Sequence, residues 1–372
     1  MKKYFSIVAL IAVAVIFSCN KSDDDPDDPS GGFDKSAMLQ NYADNLIIPG
    51  YASLQQKLTV FQTSADAFLA APSVATQTDL KTSFTELYLQ YERVAAFQFG
   101  PAETELLDPF LNYSGGLDYN FNTAGELTGF SVDSVNIENN ITSGTYNFTT
   151  MNRASFYSQG FPAMGYLFFG PNFINKFSVN TAARVKYSKD VITRMKSLVD
   201  KVASSWITYR TDFISNTQTN VGSPIGNIVN QLAYQLDLMK GPRIGWPFGK
   251  QANGTVFSSK TEGYFTNNSV QLAVANLTAL KNTYTGGGNG KGISDYLVSL
   301  NKATLNNDIL AQFDLAIAKL SLIPDPLSAS LTSEPALVEN AYKEVQKLLT
   351  LMKTDLASAT AVQINYMDND GD

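Results

Sequence analysis

The chain has 372 residues, of which 44% are hydrophobic, so it is long enough and apolar enough to bury a large core. It carries 27 basic and 34 acidic residues, which give a formal net charge of −7. No cluster of Lys and Arg is long enough to follow a phosphate backbone. The composition therefore indicates a folded globular protein and argues against nucleic acid as a partner.

The N-terminus predicts export from the cytoplasm. Two lysines precede an apolar stretch, residues 7–17, that is shorter than the roughly 20 residues a membrane-spanning helix needs. The stretch ends in the letters FSC, which resemble a bacterial lipobox, and Cys19 is the single cysteine of the chain. We therefore expect residues 1–18 to be a lipoprotein signal peptide and Cys19 to carry the lipid. An ordinary secretory signal with an incidental cysteine is the alternative.

Residues 19–35 predict a flexible acidic tether after the lipidated cysteine. The sequence NKSDDDPDDPSGG is charged, rich in Pro, Gly and Ser, and free of large apolar residues, so it cannot bury surface. Its acidic run resembles the signal by which some Gram-negative lipoproteins reach the cell surface. We expect an outer-membrane lipoprotein of a Gram-negative bacterium that is exposed at the surface. A location on the periplasmic face of the membrane is one alternative. An acidic run that serves only as a solvated spacer is another.

Beyond the tether the dominant pattern is helical. Apolar residues from Met38 to Phe68 recur on one stripe, which predicts a long helix that Pro49 and Gly50 should kink. A second helix should begin at Ser73, a candidate N-cap, and stop at Gly100. Residues 106–150 predict a long ordered loop region with one short helix. Helices are predicted at residues 132–140, 155–169, 182–215, 222–238, 269–283, 294–297, 304–322 and 334–357.

These elements favour an all-α protein. No segment alternates apolar and polar residues long enough to predict a proper sheet. Short to medium connections between amphipathic helices are typical of helical bundles. We therefore expect two packed four-helix-type bundles, an N-terminal one of residues 36–182 and a C-terminal one of residues 183–372.

The chain contains no histidine, which limits its chemistry more than any other feature. Ser-His-Asp and Cys-His catalysis and His-based zinc sites are excluded, because each depends on an imidazole. Any metal would have to be bound by oxygen atoms of Asp, Glu, Tyr or carbonyl groups. The pairs Glu86/Glu92 and Glu103/Glu105 have spacings typical of solvated helix faces and ends. We predict no catalytic residue.

Two glycine-rich segments are candidates for a binding site. In SQGFPAMGYLFFGP, residues 158–171, Pro162 suits the first turn of a helix that starts near Gly160. The segment is interpreted either as a tightly packed core helix or as a helix N-terminus that faces an interdomain cleft and binds an anion or carbonyl. In KGPRIGWPFGK, residues 240–250, we expect Trp246 to be exposed among positive charges. The segment is interpreted either as a turn between bundle helices or as a loop that binds an anionic or planar ligand.

At these segments the sequence resembles the imelysin-like family. The resemblance covers most of the exported chain, through NYADNLIIPGY, FQFGP, GFPAMGYLFFG, RIGWPFGK, KLSLIP and the terminal DNDGD. It implies a fold of two helical bundles and a link to bacterial iron uptake; some members are described as insulin-cleaving peptidases. The family's metal-peptidase motif, Gly-x-His-x-x-Glu, falls on Gly160, Pro162 and Gly165, so its histidine and glutamate are both missing.

Two functional hypotheses follow from the resemblance and from the absence of the motif's histidine and glutamate. The first is a non-catalytic, lipid-anchored binding protein of the cell envelope, in iron or haem uptake, whose ligand is an unknown small molecule or envelope protein. The second is a hydrolase or peptidase that uses carboxylates or a carboxylate-bound metal in the cleft; it predicts buried carboxylates with raised pKa values facing one another. The candidate ligand-binding residues are Gly160, Pro162, Gly165, Tyr166, Arg243, Trp246 and Glu262. The sequence names neither a cofactor nor a metal ligand.

Overall fold

The computed structural model describes residues 32–113, 120–121, 127–128, 132–288 and 290–366. The predicted signal peptide, Cys19, the first part of the tether and the terminal DNDGD lie outside the described residues. None of the helices in the described ranges is both long and apolar enough to cross a membrane.

The described chain is a succession of helices, as the sequence predicts. Residues 120–121 (β1) and 127–128 (β2) form one two-residue antiparallel pair, with Asn120 opposite Thr128. The helices are α1 Lys35–Asn41, α2 Ile48–Ala70, α3 Val74–Val94, α4 Pro101–Thr104, α5 Leu107–Leu111, α6 Ser134–Ser143, α7 Arg153–Phe156, α8 Gly160–Phe169, α9 Phe173–Lys176, α10 Thr181–Ser215, α11 Pro224–Leu238, α12 Ser269–Thr285, α13 Ile293–Ser299, α14 Ala303–Ser321, α15 Leu327–Ser333, α16 Pro335–Thr350 and α17 Ala357–Ala359.

Several helix boundaries follow from local sequence. The Ser73 side chain accepts a hydrogen bond from the Thr76 backbone N–H at 3.2 Å, which confirms Ser73 as the N-cap of α3. Between α1 and α2, Tyr42–Ile47 form a π-helical turn that ends two residues before Pro49. A second π-helical turn, Met239–Gly245, continues α11 and contains Arg243. Such turns often occur at functional sites, because they re-aim side chains.

The helices pack in a continuous series that has one hydrophobic core. Helix α2 lies against α3 and α10, α3 against α12, α12 against α14, and α14 against α16. The contact between α3 and α12 joins the first and second halves of the chain. Helix α10, which follows the predicted boundary at residue 182, packs on α2 of the N-terminal half. The assignment of two separate domains stays a prediction.

Candidate functional site

A pocket of about 190 Å³ opens between α3, α8 and the loop that precedes α12. We call it the α8 pocket. Residues from both halves of the chain line it. The lining residues are Phe84, Tyr88, Asn112, Tyr113, Val132, Ser134, Phe161, Pro162, Gly165, Ser259, Thr261, Glu262, Gly263, Tyr264, Phe265 and Thr266.

Three of the seven predicted site residues line the α8 pocket. Pro162 and Gly165 are contributed by α8, and Glu262 is contributed by the loop of the second half. A Cβ atom added to Gly165 would lie 3.8 Å from the Phe265 side chain, so this glycine leaves room for an aromatic ring from the other half. The α8 segment therefore meets Glu262 across a cavity.

Gly160 and Tyr166 lie on α8 but outside the lining of this pocket. Gly160 has φ +71°, and a Cβ atom there would lie 2.1 Å from the carbonyl oxygen of Leu111. The start of α8 therefore packs against α5. The Tyr166 hydroxyl donates to Glu138 Oε1 at 2.7 Å, and Lys176 Nζ lies 3.0 Å from the same hydroxyl. Tyr166 thus connects α8 to α6 and α9.

Trp246 is not the exposed aromatic that the sequence indicates. Its exposed fraction is 2%, and it is absent from the lining of the α8 pocket. Its backbone N–H donates to the Gly241 carbonyl at 2.9 Å, so Trp246 closes the turn after the π-helical segment and packs inward. The expectation of an exposed tryptophan is wrong because the letters GWPFG indicate a turn but cannot show which side of the turn faces the core.

Glu262 is held by three side chains from other elements. Tyr88 Oη donates to Glu262 Oε1 at 2.9 Å, and Asn112 Nδ2 donates to the same oxygen at 2.8 Å. Arg243 Nε lies 3.4 Å from Glu262 Oε2. The side chain is 4% exposed, so this carboxylate borders the pocket but is almost entirely enclosed.

Arg243 lies one layer behind the pocket, between two carboxylates. Its Nη1 donates to Glu92 Oε2 at 2.7 Å, and Asn276 Nδ2 of α12 donates to the same oxygen at 2.8 Å. The exposed fractions of the Arg243 and Glu92 side chains are 4% and 0%. Arg243 thus pairs with Glu262, and Glu92 extends the pair into a buried network.

The prediction of a solvated Glu92 is therefore wrong. Glu92 follows Phe84 and Tyr88 at spacings of eight and four residues, so it continues the buried stripe of α3. That spacing is the sequence signal that could have identified it. Glu103, by contrast, is exposed, and Glu105 pairs with Lys201 at 3.2 Å near the surface.

Burial changes the ionisation of the carboxylates around Arg243. Desolvation raises the pKa of Glu92 to about 8; the charge of Glu262 adds to the rise, while Arg243 and Asn276 oppose it. Desolvation also raises the pKa of Asp108, whose carboxylate accepts a hydrogen bond from the Tyr91 hydroxyl. Burial raises the pKa of the Tyr88 hydroxyl well above its ordinary value, and the charges of Glu262 and Glu92 raise it further. Tyr88 therefore acts as a hydrogen-bond donor.

The described residues do not fit a resident metal ion. Nowhere in the described ranges do three His, Cys, Asp or Glu side chains lie together in a way that could hold one. The carboxylate of Glu262 already accepts two hydrogen bonds through Oε1 and lies with Oε2 3.4 Å from Arg243 Nε, so it cannot coordinate a metal ion without losing these contacts. Chemically, this arrangement can hold a small ligand against aromatic side chains and one fixed carboxylate.

Solved structures with the same fold agree with this architecture. A putative iron-regulated protein A precursor from Parabacteroides distasonis shares 18% identity, with a TM-score of 0.70 over 88% of this chain and 94% of that one. An imelysin-like protein from Psychrobacter arcticum shares 15% identity, with a TM-score of 0.69 over 89% and 97%. These similarities show that the chain has the same fold as the two proteins.

No curated protein is similar enough to the chain to count as a match. The model of the imelysin family, peptidase M75, matches residues 47–354, which include both the α8 segment and the Glu262 loop. Because that match covers most of the chain, the protein belongs to the imelysin family.

Proposed function

We propose that this protein is a non-catalytic, lipid-anchored binding protein of the cell envelope that captures a ligand in the α8 pocket and serves iron or haem uptake. The observation that carries the proposal is the composition of the pocket. Helix α8 contributes Pro162 and Gly165, neither of which is ionisable, and Glu262 is enclosed by Tyr88, Asn112 and Arg243. A carboxylate held in this way can orient a ligand, but it is poorly placed to abstract a proton.

The connection to iron rests on family membership and on the name of the Parabacteroides protein, an iron-regulated protein precursor. The described residues offer no ready metal site. A cavity of about 190 Å³ is also smaller than the roughly 300–1,000 Å³ of pockets for drug-sized ligands. Both points favour a small organic ligand and an indirect connection to iron.

The hydrolase hypothesis has one observation in its favour. It predicts buried carboxylates with raised pKa values, and Glu92 is such a group with Glu262 nearby. Glu92 is fully buried, however, and does not line the α8 pocket, and Arg243 bridges the two carboxylates. A catalytic carboxylate must reach the substrate, so this arrangement favours a structural role for Glu92.

One experiment separates binding from hydrolysis. The full-length chain, purified in detergent, is incubated separately with iron(II), iron(III), zinc and haem for native mass spectrometry, and with casein peptides for a cleavage assay. We expect no cleavage and no bound zinc. A stoichiometric iron or haem complex would make the capture of iron direct, whereas its absence would direct attention to an organic ligand. Peptide cleavage that disappears in Glu262→Gln would contradict the proposal.

The lipid anchor is tested separately. In cells labelled with a fatty-acid analogue, the natural chain should carry the label and sediment with the outer membrane. Cys19→Ala should remove the label and leave the protein unprocessed or soluble, because the lipid is attached to the thiol. Unchanged labelling and unchanged membrane association of Cys19→Ala would contradict the anchor.

A further inference from the structure

The described lining of the α8 pocket combines many aromatic side chains with a single charged group. Among these lining residues, Glu262 is the one charged side chain; neither Lys nor Arg is present. The aromatic members are Phe84, Tyr88, Tyr113, Phe161, Tyr264 and Phe265. Aromatic faces carry negative partial charge and attract cations, above all quaternary ammonium groups.

Acidic side chains outnumber basic ones in the buried cluster behind the pocket. Glu92 and Glu262 flank Arg243, and Asp108 is close enough to interact electrostatically with both Arg243 and Glu262. Within this described cluster, three carboxyl groups share one guanidinium, and burial raises the pKa of Glu92 to about 8, so that Glu92 is largely protonated at neutral pH. A positive charge in the pocket would interact favourably with the carboxylates that stay ionised beside Arg243.

The two oxygens of Glu262 have different surroundings. Its Oε1 accepts hydrogen bonds from Tyr88 and Asn112, whereas Oε2 is buried and has no hydrogen-bond partner among the described residues. Arg243 Nε, 3.4 Å from Oε2, is likewise without a hydrogen bond in that part of the chain. Oε1 is therefore fixed by two hydrogen bonds, and Oε2 makes an ion pair with Arg243 without a hydrogen bond, so the carboxylate charge is held in a fixed position at the pocket wall.

We propose that the α8 pocket binds a small organic cation, with its ammonium or quaternary ammonium group held between aromatic rings and the Glu262 carboxylate. This inference rests on the proposed binding function and specifies its ligand class. The cavity of about 190 Å³ suits a compact ligand. Tyr264, 37% exposed, stands at the rim and is available to cover the bound cation.

The test uses three probes of nearly identical shape and different charge: choline, its neutral isostere 3,3-dimethylbutan-1-ol, and the anion 3,3-dimethylbutanoate. Each is titrated calorimetrically into the full-length chain in dodecyl maltoside, a detergent without an ammonium group. We expect choline to bind about tenfold more tightly than the alcohol, because cation–π contacts and a carboxylate act on the charge alone. The anion should show no binding.

Two variants locate the interaction. Glu262→Gln keeps the shape and removes the charge, so it should reduce the preference for choline over the alcohol to near unity. Tyr264→Leu should weaken choline binding about fivefold and leave the alcohol nearly unchanged. Tyr146→Leu, a half-buried tyrosine outside this pocket, is the matched control and should bind choline as the natural chain does. If Glu262→Gln fails to fold, the Tyr264→Leu variant still tests whether the pocket prefers the cation, because it should weaken the binding of choline and not that of the alcohol.

Equal affinity for choline and the alcohol, or tighter binding of the anion, would overturn the cation preference while leaving the pocket a binding site. Binding of none of the three probes would also overturn it. In that case the panel of iron, zinc and haem determines whether the proposed binding function fails as well, because a bound member of that panel would preserve it.

Discussion

Gly160 begins α8 with a backbone conformation that residues with a side chain rarely adopt. Its φ is +71°, and a Cβ atom would collide with the Leu111 carbonyl oxygen at 2.1 Å. Gly165, five residues later, has ordinary helical geometry and only van der Waals contact with Phe265 at 3.8 Å. The two glycines look alike in the sequence but have different physical roles: Gly160 allows the chain to enter α8, and Gly165 allows α8 to approach the Phe265 ring.

Replacing these glycines by alanine should therefore have unequal effects. Gly160→Ala should lower the free energy of unfolding by about 2 kcal/mol or more, because the strained φ and the clash with α5 add together. Gly165→Ala, the matched control, should change it by less than about 1 kcal/mol. Urea titrations followed by circular dichroism measure both, and equal losses in the two variants would rule out backbone conformation as the cause.

At the scale of elements, α12 is capped by a residue from a distant part of the chain. Its own N-cap residue, Asn268, makes no capping hydrogen bond. Instead, Asp325 Oδ1 accepts from the Val270 N–H at 2.8 Å and Oδ2 accepts from the Gln271 N–H at 3.0 Å. A carboxylate at this end of a helix satisfies free N–H groups and complements the helix dipole. The loop before α15 thereby fixes the helix that packs on α3.

Loss of this cap should be measurable. Asp325→Ala should lower the free energy of unfolding by about 1–2 kcal/mol, since it removes a side chain that satisfies two backbone donors. Asp314→Ala is a suitable control, because Asp314 is exposed and pairs with Lys281 at the surface, where ion pairs contribute little. A loss no larger for Asp325→Ala than for Asp314→Ala would show that solvent replaces the cap.

At the scale of the whole molecule, the Glu92–Arg243–Glu262 network ties the two halves together. Glu92 belongs to α3, Arg243 to the π-helical turn after α11, and Asn276 to α12. Burial raises the pKa of Glu92 to about 8, so the folded protein holds a proton that the unfolded chain, with an ordinary pKa near 4.5, has released. The stabilisation from this proton is complete below pH 4.5 and is lost as the pH rises towards 8.

We therefore expect the free energy of unfolding to fall by about 2 kcal/mol between pH 6 and pH 9. Glu92→Gln, which mimics the protonated side chain, should abolish most of that fall in the free energy of unfolding. Glu86→Gln is the control, because Glu86 lies on the same helix with its side chain 49% exposed and should leave the fall unchanged. Urea titrations at several pH values provide the measurement, and an undiminished fall in Glu92→Gln would exclude this carboxylate as its source.

The sequence by itself determined the helical class, the family and many helix boundaries, because periodicity and capping are local. Ser73 caps α3 as predicted, and α10 spans Thr181–Ser215 against the predicted 182–215. Only the tertiary structure decided how α10 packs, that Trp246 and Glu92 are buried, and that Glu262 meets Pro162 and Gly165 across one pocket. These features depend on contacts between residues up to 184 positions apart, such as Glu92 with Asn276, and no local pattern in the sequence encodes such contacts.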